Sequence, residues 1–191
     1  MRHTLALGFS IAVLLSGCSA LTPRGDFSQA AITGAPLQFE IGGKVGVRYL
    51  QNAQTRNDSA FFQWNQQDGN FNLQISGALG LGATQIYGSE SSAVLVNSNT
   101  RIKADSASEL LLKASGWQAP LESMTYWIVG QNAPGNQAST NQFDEMGRMT
   151  QTKSGAWMAT LSYQDQERLP SLIRAKEDQN VNQVVLSIKT R

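Results

Sequence analysis

The sequence of 191 residues is poor in the residue types on which most site chemistry depends, with one cysteine and one histidine. A lone cysteine can form neither an internal disulfide nor a thiolate metal cluster. The one histidine, His3, lies in the N-terminal segment that we expect to be removed, so a Ser-His-Asp triad and most zinc sites are also excluded. No GxxxxGK[ST] pattern is present, and a turn follows the glycines at 77–82 where GxGxxG requires a helix. We therefore expect no cofactor, no metal and no nucleotide-dependent chemistry.

No apolar run reaches the roughly 20 residues that a membrane-spanning helix needs. The apolar run from Leu5 to Leu15 follows Arg2 and is typical of a secretory signal peptide. The sequence Leu-Ser-Gly-Cys ends this run and resembles a bacterial lipobox. That resemblance implies removal of residues 1–17 and lipid attachment at Cys18. The alternative is an ordinary secreted protein with a chance cysteine, but a lone cysteine in an exported chain favours lipidation.

Charge of neither sign is in excess once this segment is removed. Without Arg2, the fifteen basic residues become fourteen, equal to the fourteen acidic ones. This neutrality argues against binding of nucleic acid, which needs a basic excess. Residues 18–36 have little periodicity and are expected to form a tether, and residues 37–191 to form one domain.

Strand patterns dominate this domain. Asp68-Gly69 is a hairpin turn signal, and Phe71, Leu73 and Ile75 alternate with polar residues after it. The glycines at 42, 43 and 46 suggest a bulge or a close backbone approach in the first strand. Several short strands follow, and strands resume near residue 148. The pattern predicts a curved antiparallel sheet or incomplete barrel.

Two helices are predicted between the two groups of strands. The first has Ser106 or Ser108 as its N-cap and stops at Gly116. The second begins after Pro120 and ends near Gly130, with residues 121, 124 and 128 on one apolar face. We expect these helices to cover one opening of the sheet.

An apolar turn breaks the usual rule that turns are polar. Leu79 and Leu81 stand among glycines between two predicted strands. Two readings stay open from the residues alone. The leucines either fold back onto the core or a partner, or they project towards a membrane.

The order of several stretches resembles the LolB family, the outer-membrane lipoprotein receptors of the bacterial lipoprotein-localisation pathway. The stretches are the lipobox at Cys18, AFFQW, GALG, SASELLLKASGWQAPLESMTYWIVG, APG and Leu169-Pro170. The departures are Ala78, where proline is common, and the lack of a final aromatic residue.

The resemblance implies a mainly β fold with inserted helices: an unclosed antiparallel β-barrel with a helical lid around an apolar cavity. Such a monomer accepts lipoproteins from the periplasmic carrier LolA and inserts them into the inner leaflet of the outer membrane, without covalent chemistry. It implies a periplasm-facing protein anchored at Cys18, and Ser19 after the cysteine implies sorting to the outer membrane. The turn leucine that meets the membrane maps onto Leu79, with Leu81 as its neighbour.

Nine residues are candidates for the cavity lining, although aromatic and aliphatic residues at inward positions are usually plain core. They are Phe61, Trp64, Phe71, Leu73, Ile75, Trp117, Trp127, Trp157 and Tyr163. One alternative function is a lipid-anchored scaffolding or assembly lipoprotein without a cavity. A weaker one is an enzyme using the carboxylate pairs Asp144 with Glu145 or Asp165 with Glu167.

Overall fold

The computed structural model describes residues 37–77, 82–135, 140–178 and 181–190. Eleven strands and two helices lie in these residues. They are β1 (Phe39–Gln51), β2 (Gln54–Gln67), β3 (Asn70–Gly77), β4 (Thr84–Ser89), β5 (Ser92–Val96), β6 (Arg101–Ala104), α1 (Ala107–Ser115), α2 (Leu121–Trp127), β7 (Gln142–Phe143), β8 (Met149–Ser154), β9 (Trp157–Ser162), β10 (Leu172–Glu177) and β11 (Gln183–Thr190). Cys18, Leu79 and Leu81 fall outside the described residues.

All eleven strands form one antiparallel sheet in the order β6-β5-β4-β3-β2-β1-β11-β10-β9-β8-β7. Consecutive strands pair with each other except β6 and β7, and β1 pairs with β11 to unite the two halves. The edges of the described sheet are β6 and β7, which do not pair with each other. The prediction of a mainly β fold with an unclosed antiparallel sheet and two inserted helices is confirmed.

The sheet separates an apolar inner face from a polar outer face. On β2, Ala60, Phe62 and Trp64 are buried, whereas Phe61 and Gln63 between them are exposed. This alternation follows from the two-residue period of a strand. The same period continues through β3, β4 and β5, so the inner faces of neighbouring strands form one continuous core.

A close approach of β1 to β11 confirms the prediction from the glycines of β1, next to a bulge whose extra residue, Lys189, lies on β11. The pairing of β1 with β11 shifts between Gly42 and Gly43. A Cβ atom at Gly43 would lie 2.0 Å from the carbonyl oxygen of Ser187. Only glycine fits at this position, because any side chain would overlap the backbone of the neighbouring strand.

Helix α1 has the ends that the sequence predicted. The N-cap is Ser106, whose Oγ accepts a hydrogen bond from the Glu109 N–H at 3.1 Å. Gly116 ends the helix in the left-handed conformation, with φ of 78°. The apolar face packs on β4, β5 and β6, and this face buries Leu110 and Leu111.

Helix α2 follows Pro120 and buries the three residues predicted to share its apolar face, Leu121, Met124 and Ile128. Proline suits this position because its missing N–H would have no partner in the first turn. In the described part of the chain, no helix is long and apolar enough to cross a membrane.

Two features depart from the predicted pattern. β1 and β2 are joined by a two-residue turn at Asn52 and Ala53, both with positive φ, although neither residue is glycine. A short strand, β7, extends the sheet beyond β8. It has only two residues, too few for a two-residue period to be recognised in the sequence.

Candidate functional site

The inner face of the sheet and the two helices enclose a small apolar space. Its volume is about 30 Å³, which is room for one or two water molecules and far below the roughly 300–1,000 Å³ of common ligand pockets. Its lining combines sheet and helix residues: Val45, Phe62, Trp64, Leu73, Ile75, Ile86, Leu111, Trp117, Ala119, Leu121, Met124, Val184 and Leu186. The helices therefore lie close against the sheet, and a guest larger than this space requires them to move.

Hydrogen bonds of Ser108 join the two helices to each other. The Ser108 N–H donates to the Glu122 carboxylate at 2.9 Å, and the Ser108 Oγ accepts from the Leu121 N–H at 3.0 Å. The same hydroxyl lies 2.7 Å from the Ala119 carbonyl oxygen, to which it donates. These bonds tie the start of α1 to the start of α2. Movement of the pair as one unit would preserve them.

One polar bridge connects α2 to the sheet. The Oγ atoms of Ser123 on α2 and Ser154 on β8 are 2.7 Å apart. The other contacts of this helix with the interior are apolar, through Leu121 and Met124. Apolar contacts are non-directional and re-form in shifted positions more easily than hydrogen-bond networks. The interface between helices and sheet is thus suited to opening.

Comparison with known proteins assigns the chain to a family. Residues 37–190 match the family described as Outer membrane lipoprotein LolB. The chain belongs to the LolB family. The matched range contains all eleven strands and both helices, and membership supports a role in lipoprotein localisation at the outer membrane.

Individual relatives agree with this assignment. The chain is similar to the outer-membrane lipoprotein LolB of Cellvibrio japonicus, with 30% identity over 161 residues, covering 82% of this chain and 77% of that one. It is 30% identical over 168 residues to LolB of Pseudomonas aeruginosa, covering 82% and 80% of the two chains. Among solved structures, a LolA superfamily protein from Nitrosomonas europaea has 13% identity and a TM-score of 0.49, with 80% and 86% of the chains covered.

Four of the nine candidate lining residues border the enclosed space of this LolB-family fold: Trp64, Leu73, Ile75 and Trp117. Four others contribute elsewhere to the core. Trp127 and Trp157 are buried, and Phe71 and Tyr163 pack against the core while partly exposed. In the structure, the side chains that sequence reasoning did not select come from strands on both sides of β1 and from the helices, for example Phe62, Ile86 and Met124. The sequence pattern indicates that such side chains point inward. Their convergence around one enclosed space depends on tertiary packing.

The placement of Phe61 in the lining was wrong. Its side chain is 60% exposed and lies on the outer face of β2, opposite to Phe62. Two adjacent phenylalanines on one strand must point to opposite faces, so only one can be interior. The Lys44 ammonium lies 5.3 Å from the centre of the Phe61 ring, which is a cation–π contact.

The side chains that line the enclosed space are apolar apart from the indole nitrogens of its tryptophans. The Nε1 atoms of Trp64, Trp117 and Trp127 are buried, and no acceptor for them lies among the described residues. Tryptophan usually finds a hydrogen-bond partner when buried. Trp64 and Trp117 also border the enclosed space, so this space combines hydrocarbon walls with nearby unpaired donors.

Three residues of the enzyme alternative contact Arg148, Asp144 through its carboxylate and Asp165 and Glu167 through their backbone carbonyls. The Arg148 Nε donates to Asp144 at 2.7 Å, and its Nη1 donates to the backbone carbonyls of Asp165 and Glu167 at 2.8 Å each. Its guanidinium also lies 4.6 Å from the ring centre of Tyr163. Arg148 therefore fastens the loop 163–170 to the turn before β8.

The protonation of this cluster fits a fastening role. Burial acts to raise the pKa of Asp144, but hydrogen bonds from Arg148 and from the Met146 N–H lower it by more, so the carboxylate stays charged. Burial raises the pKa of Tyr163 to about 12, and its hydroxyl donates to the Met149 carbonyl at 2.7 Å. A general acid or base needs a pKa near the working pH, and neither group meets that condition. Within the described residues, no cluster of three acidic, histidine or cysteine side chains could hold a metal ion.

Proposed function

We propose that this protein is the outer-membrane receptor of a lipoprotein-localisation pathway, anchored by lipid at Cys18 and facing the periplasm. It accepts acylated lipoproteins from the carrier LolA and inserts them into the inner leaflet of the outer membrane. The transfer is non-covalent, and the receptor acts as a monomer. Family membership over residues 37–190 supports this proposal.

The observation that carries the proposal is the apolar interface between the inner sheet face and the two helices. Its walls are aliphatic and aromatic side chains, such as Phe62, Trp117 and Met124. The enclosed volume of about 30 Å³ cannot hold an acyl chain. An acyl chain therefore enters only when α1 and α2 move away from the sheet and the same side chains turn towards it.

The membrane end of the transfer belongs to the turn that carries Leu79 and Leu81. Inserting one leucine into a bilayer contributes roughly 1.5–3 kcal/mol, which permits reversible contact without anchoring the domain. Lasting attachment falls to the lipid at Cys18, since each buried acyl methylene adds about 0.8 kcal/mol. The tether 18–36 then keeps the domain close to the leaflet that receives cargo.

Transfer needs a downhill sequence of affinities, because the chain carries no nucleotide-binding pattern. The carrier must hold the acyl chains more weakly than the receptor, and the receptor more weakly than the bilayer. Direct contact between the openings of carrier and receptor avoids exposing the chains to water, which costs about 0.8 kcal/mol per methylene.

Delivery of a lipoprotein from LolA to liposomes tests the proposal, with Leu79→Glu as the informative variant. We expect the variant to remain folded and to bind a fluorescent fatty-acid analogue, but to insert less lipoprotein than wild type. Leu169→Glu is the matched control, because Leu169 is 38% exposed in the loop between β9 and β10, away from the basic residues of β1 and β10. Equal delivery by wild type and Leu79→Glu would remove the turn from the mechanism.

The small enclosed volume also favours a second candidate, a lipid-anchored scaffolding or assembly lipoprotein that binds proteins without a lipid cavity. The two candidates differ in binding of the fatty-acid analogue by the wild-type protein. Saturable binding with enhanced emission supports the receptor. A lack of binding at every analogue concentration supports the scaffold.

A further inference from the structure

The charges of this nearly neutral chain are segregated on the sheet. Four basic residues, Lys44 and Arg48 on β1 and Arg174 and Lys176 on β10, lie on the outer face and are exposed. We call these four residues the basic face. Their strands flank β11, and the pairing register places them together: Arg48, Gln183 and Lys176 form one row across the three strands. At about 4.8 Å per strand, the Cα atoms of Arg48 and Lys176 are roughly 10 Å apart.

Acidic side chains do not neutralise the basic face. The three ion pairs found among the described residues involve Lys113, Arg148 and Lys153, none of which belongs to it. Asp178 follows Lys176 by two residues, but its carboxylate is paired with Lys153. The exposed carboxylate on β1 or β10 is Glu40, which is four residues from Lys44 along β1. That separation is about 13 Å at 3.3 Å per residue, beyond the reach of an ion pair. The positive charge of the face is therefore directed at solvent.

A groove lies beside the basic face, on the outer surface of β1 to β5. Its volume is about 690 Å³, and Lys44, Phe61, Gln74 and Lys189 are among its lining residues. Phe61 is 60% exposed in this groove, beneath the Lys44 ammonium. An exposed aromatic ring beside cations is the side-chain combination that occupies the headgroup level of membranes.

We infer that the basic face and Phe61 form a docking surface for a bilayer that contains anionic phospholipid. The cations attract the lipid phosphates, and Phe61 enters the headgroup region. The inference rests on the proposed function for the lipid anchor and tether, which hold the domain within reach of the membrane. It concerns a surface outside the acyl-chain interior.

The position of the basic face supports a membrane over an acidic protein as the occupant. Gly77, which ends β3, is level with Val45 of β1 across β2. Lys44 and Arg48 lie on either side of this level, so the basic face is at the end of the sheet where the chain continues into residues 78–81. A bilayer placed against this end of the sheet meets the basic face and Phe61 together. A bilayer supplies phosphates for the cations and an apolar layer for the exposed ring at once, whereas a protein partner must present both an acidic patch and a fitting apolar pocket.

Vesicle co-sedimentation tests the docking surface directly. The mature chain from residue 18 is used with Cys18→Ser, so that no lipid anchor contributes. The probes are vesicles of phosphatidylcholine alone and of equal parts phosphatidylcholine and phosphatidylglycerol. We expect binding to the anionic vesicles that weakens with added salt, and much weaker binding to the neutral ones.

Paired neutralising variants locate the binding surface. Arg48→Gln with Arg174→Gln should reduce partitioning to anionic vesicles about 30-fold, since each basic residue near such a surface contributes about fivefold. Lys103→Gln with Lys113→Gln is the matched control, because it removes the same charge from β6 and α1. Phe61→Ser should weaken the binding that remains at high salt. Circular dichroism confirms that each variant is folded.

Each result decides the inference. If the two double variants lose vesicle binding equally, the loss depends on net charge alone, and the inference of a docking surface is overturned. The Arg48 and Arg174 variant could instead bind vesicles as wild type does but accept less lipoprotein from LolA. That result would assign the basic face to an acidic protein and overturn the inference that it binds a membrane. The fatty-acid analogue separates this inference from the proposed function. If the protein binds vesicles but not the fatty-acid analogue, the proposed receptor function is overturned and the docking surface is retained.

Discussion

Ser123 on α2 and Ser154 on β8 share a hydrogen bond with 2.7 Å between their Oγ atoms. The two residues are 31 positions apart in sequence, so the bond forms only because tertiary packing places α2 against β8. It is a polar connection between α2 and the sheet, next to an otherwise apolar contact. Any outward movement of α2 must break it.

Cross-linking this pair should abolish acyl-chain binding. In a Cys18→Ala background, Ser123→Cys with Ser154→Cys places two thiols where two hydroxyls already meet, close enough for a disulfide. We expect the oxidised protein to bind the fluorescent fatty-acid analogue at least about tenfold more weakly, because the open state is no longer populated. Reduction should restore binding.

The hairpin of β4 and β5 provides a control for the cross-link. The Oγ atoms of Ser89 and Ser92 are 3.3 Å apart, and both residues belong to the sheet. A disulfide between Ser89→Cys and Ser92→Cys fixes no helix, so it should leave binding unchanged. Full binding by the oxidised Ser123 and Ser154 variant would show that acyl chains enter without movement of α2.

The close approach of Gly43 to β11 gives a prediction about stability. Gly43→Ala should lower the free energy of unfolding by at least about 2 kcal/mol, since the new Cβ atom overlaps the Ser187 carbonyl and the strands must separate. Gly46→Ala is the control on the same strand, because open space surrounds its Cβ position. Urea denaturation measures both variants. Similar midpoints for the two would contradict the backbone contact at Gly43.

Ala53 offers a stabilising change. It occupies the second position of the β1–β2 turn with φ of 60°, a conformation that costs a non-glycine residue about 1–2 kcal/mol. Ala53→Gly should remove this strain, at the expense of a more flexible unfolded chain. We expect a net gain of about 1 kcal/mol and a rise in Tm of about 2–4 °C by calorimetry. A lower Tm would mean that the alanine side chain makes a compensating contact.

The Asp144–Arg148 pair predicts a pH dependence of stability. A carboxyl whose pKa is lower in the folded state stabilises the protein above its unfolded pKa, and this stabilisation disappears as the pH falls through the folded pKa. The pKa of Asp144 is lowered from its ordinary value of 3.8. Asp144→Asn should therefore cost about 1 kcal/mol at neutral pH, a modest value because the pair is partly exposed.

The cost of Asp144→Asn should shrink once the pH drops below the ordinary value of 3.8. Denaturation curves at several pH values measure the difference between variant and wild type. Glu145→Gln changes an exposed neighbouring carboxylate and should have little effect at any pH. A cost that is the same at low and neutral pH would exclude the charge of Asp144 as its source.

Local signals determined most of the fold. Ser106 and Gly116 mark the ends of α1 because capping depends on a few adjacent residues, and Asp68-Gly69 marks a hairpin for the same reason. The positive φ of Ala53 carried no such signal, since alanine rarely adopts it. There the pairing of the long strands on each side imposes the turn.

The site was less predictable than the fold. Alternation placed Leu73 and Ile75 on one face of their strand, yet the chain alone does not give the distance between that face and the helices. Phe61 lies on the outer face because its neighbour Phe62 occupies the inner face, and adjacent residues of a strand point to opposite sides. The basic face was invisible in the net charge, because strand pairing brings Arg48 and Lys176 together from opposite ends of the sequence.

Under the proposed function, the close packing of α1 and α2 on the sheet favours release of a bound acyl chain. A guest must displace contacts that Leu111 and Met124 otherwise make with the sheet, so its retention is weakened by the energy of those lost contacts. When the guest leaves, the helices regain these contacts with the sheet. A fluid leaflet demands no such displacement, and this difference alone inclines the exchange towards the membrane.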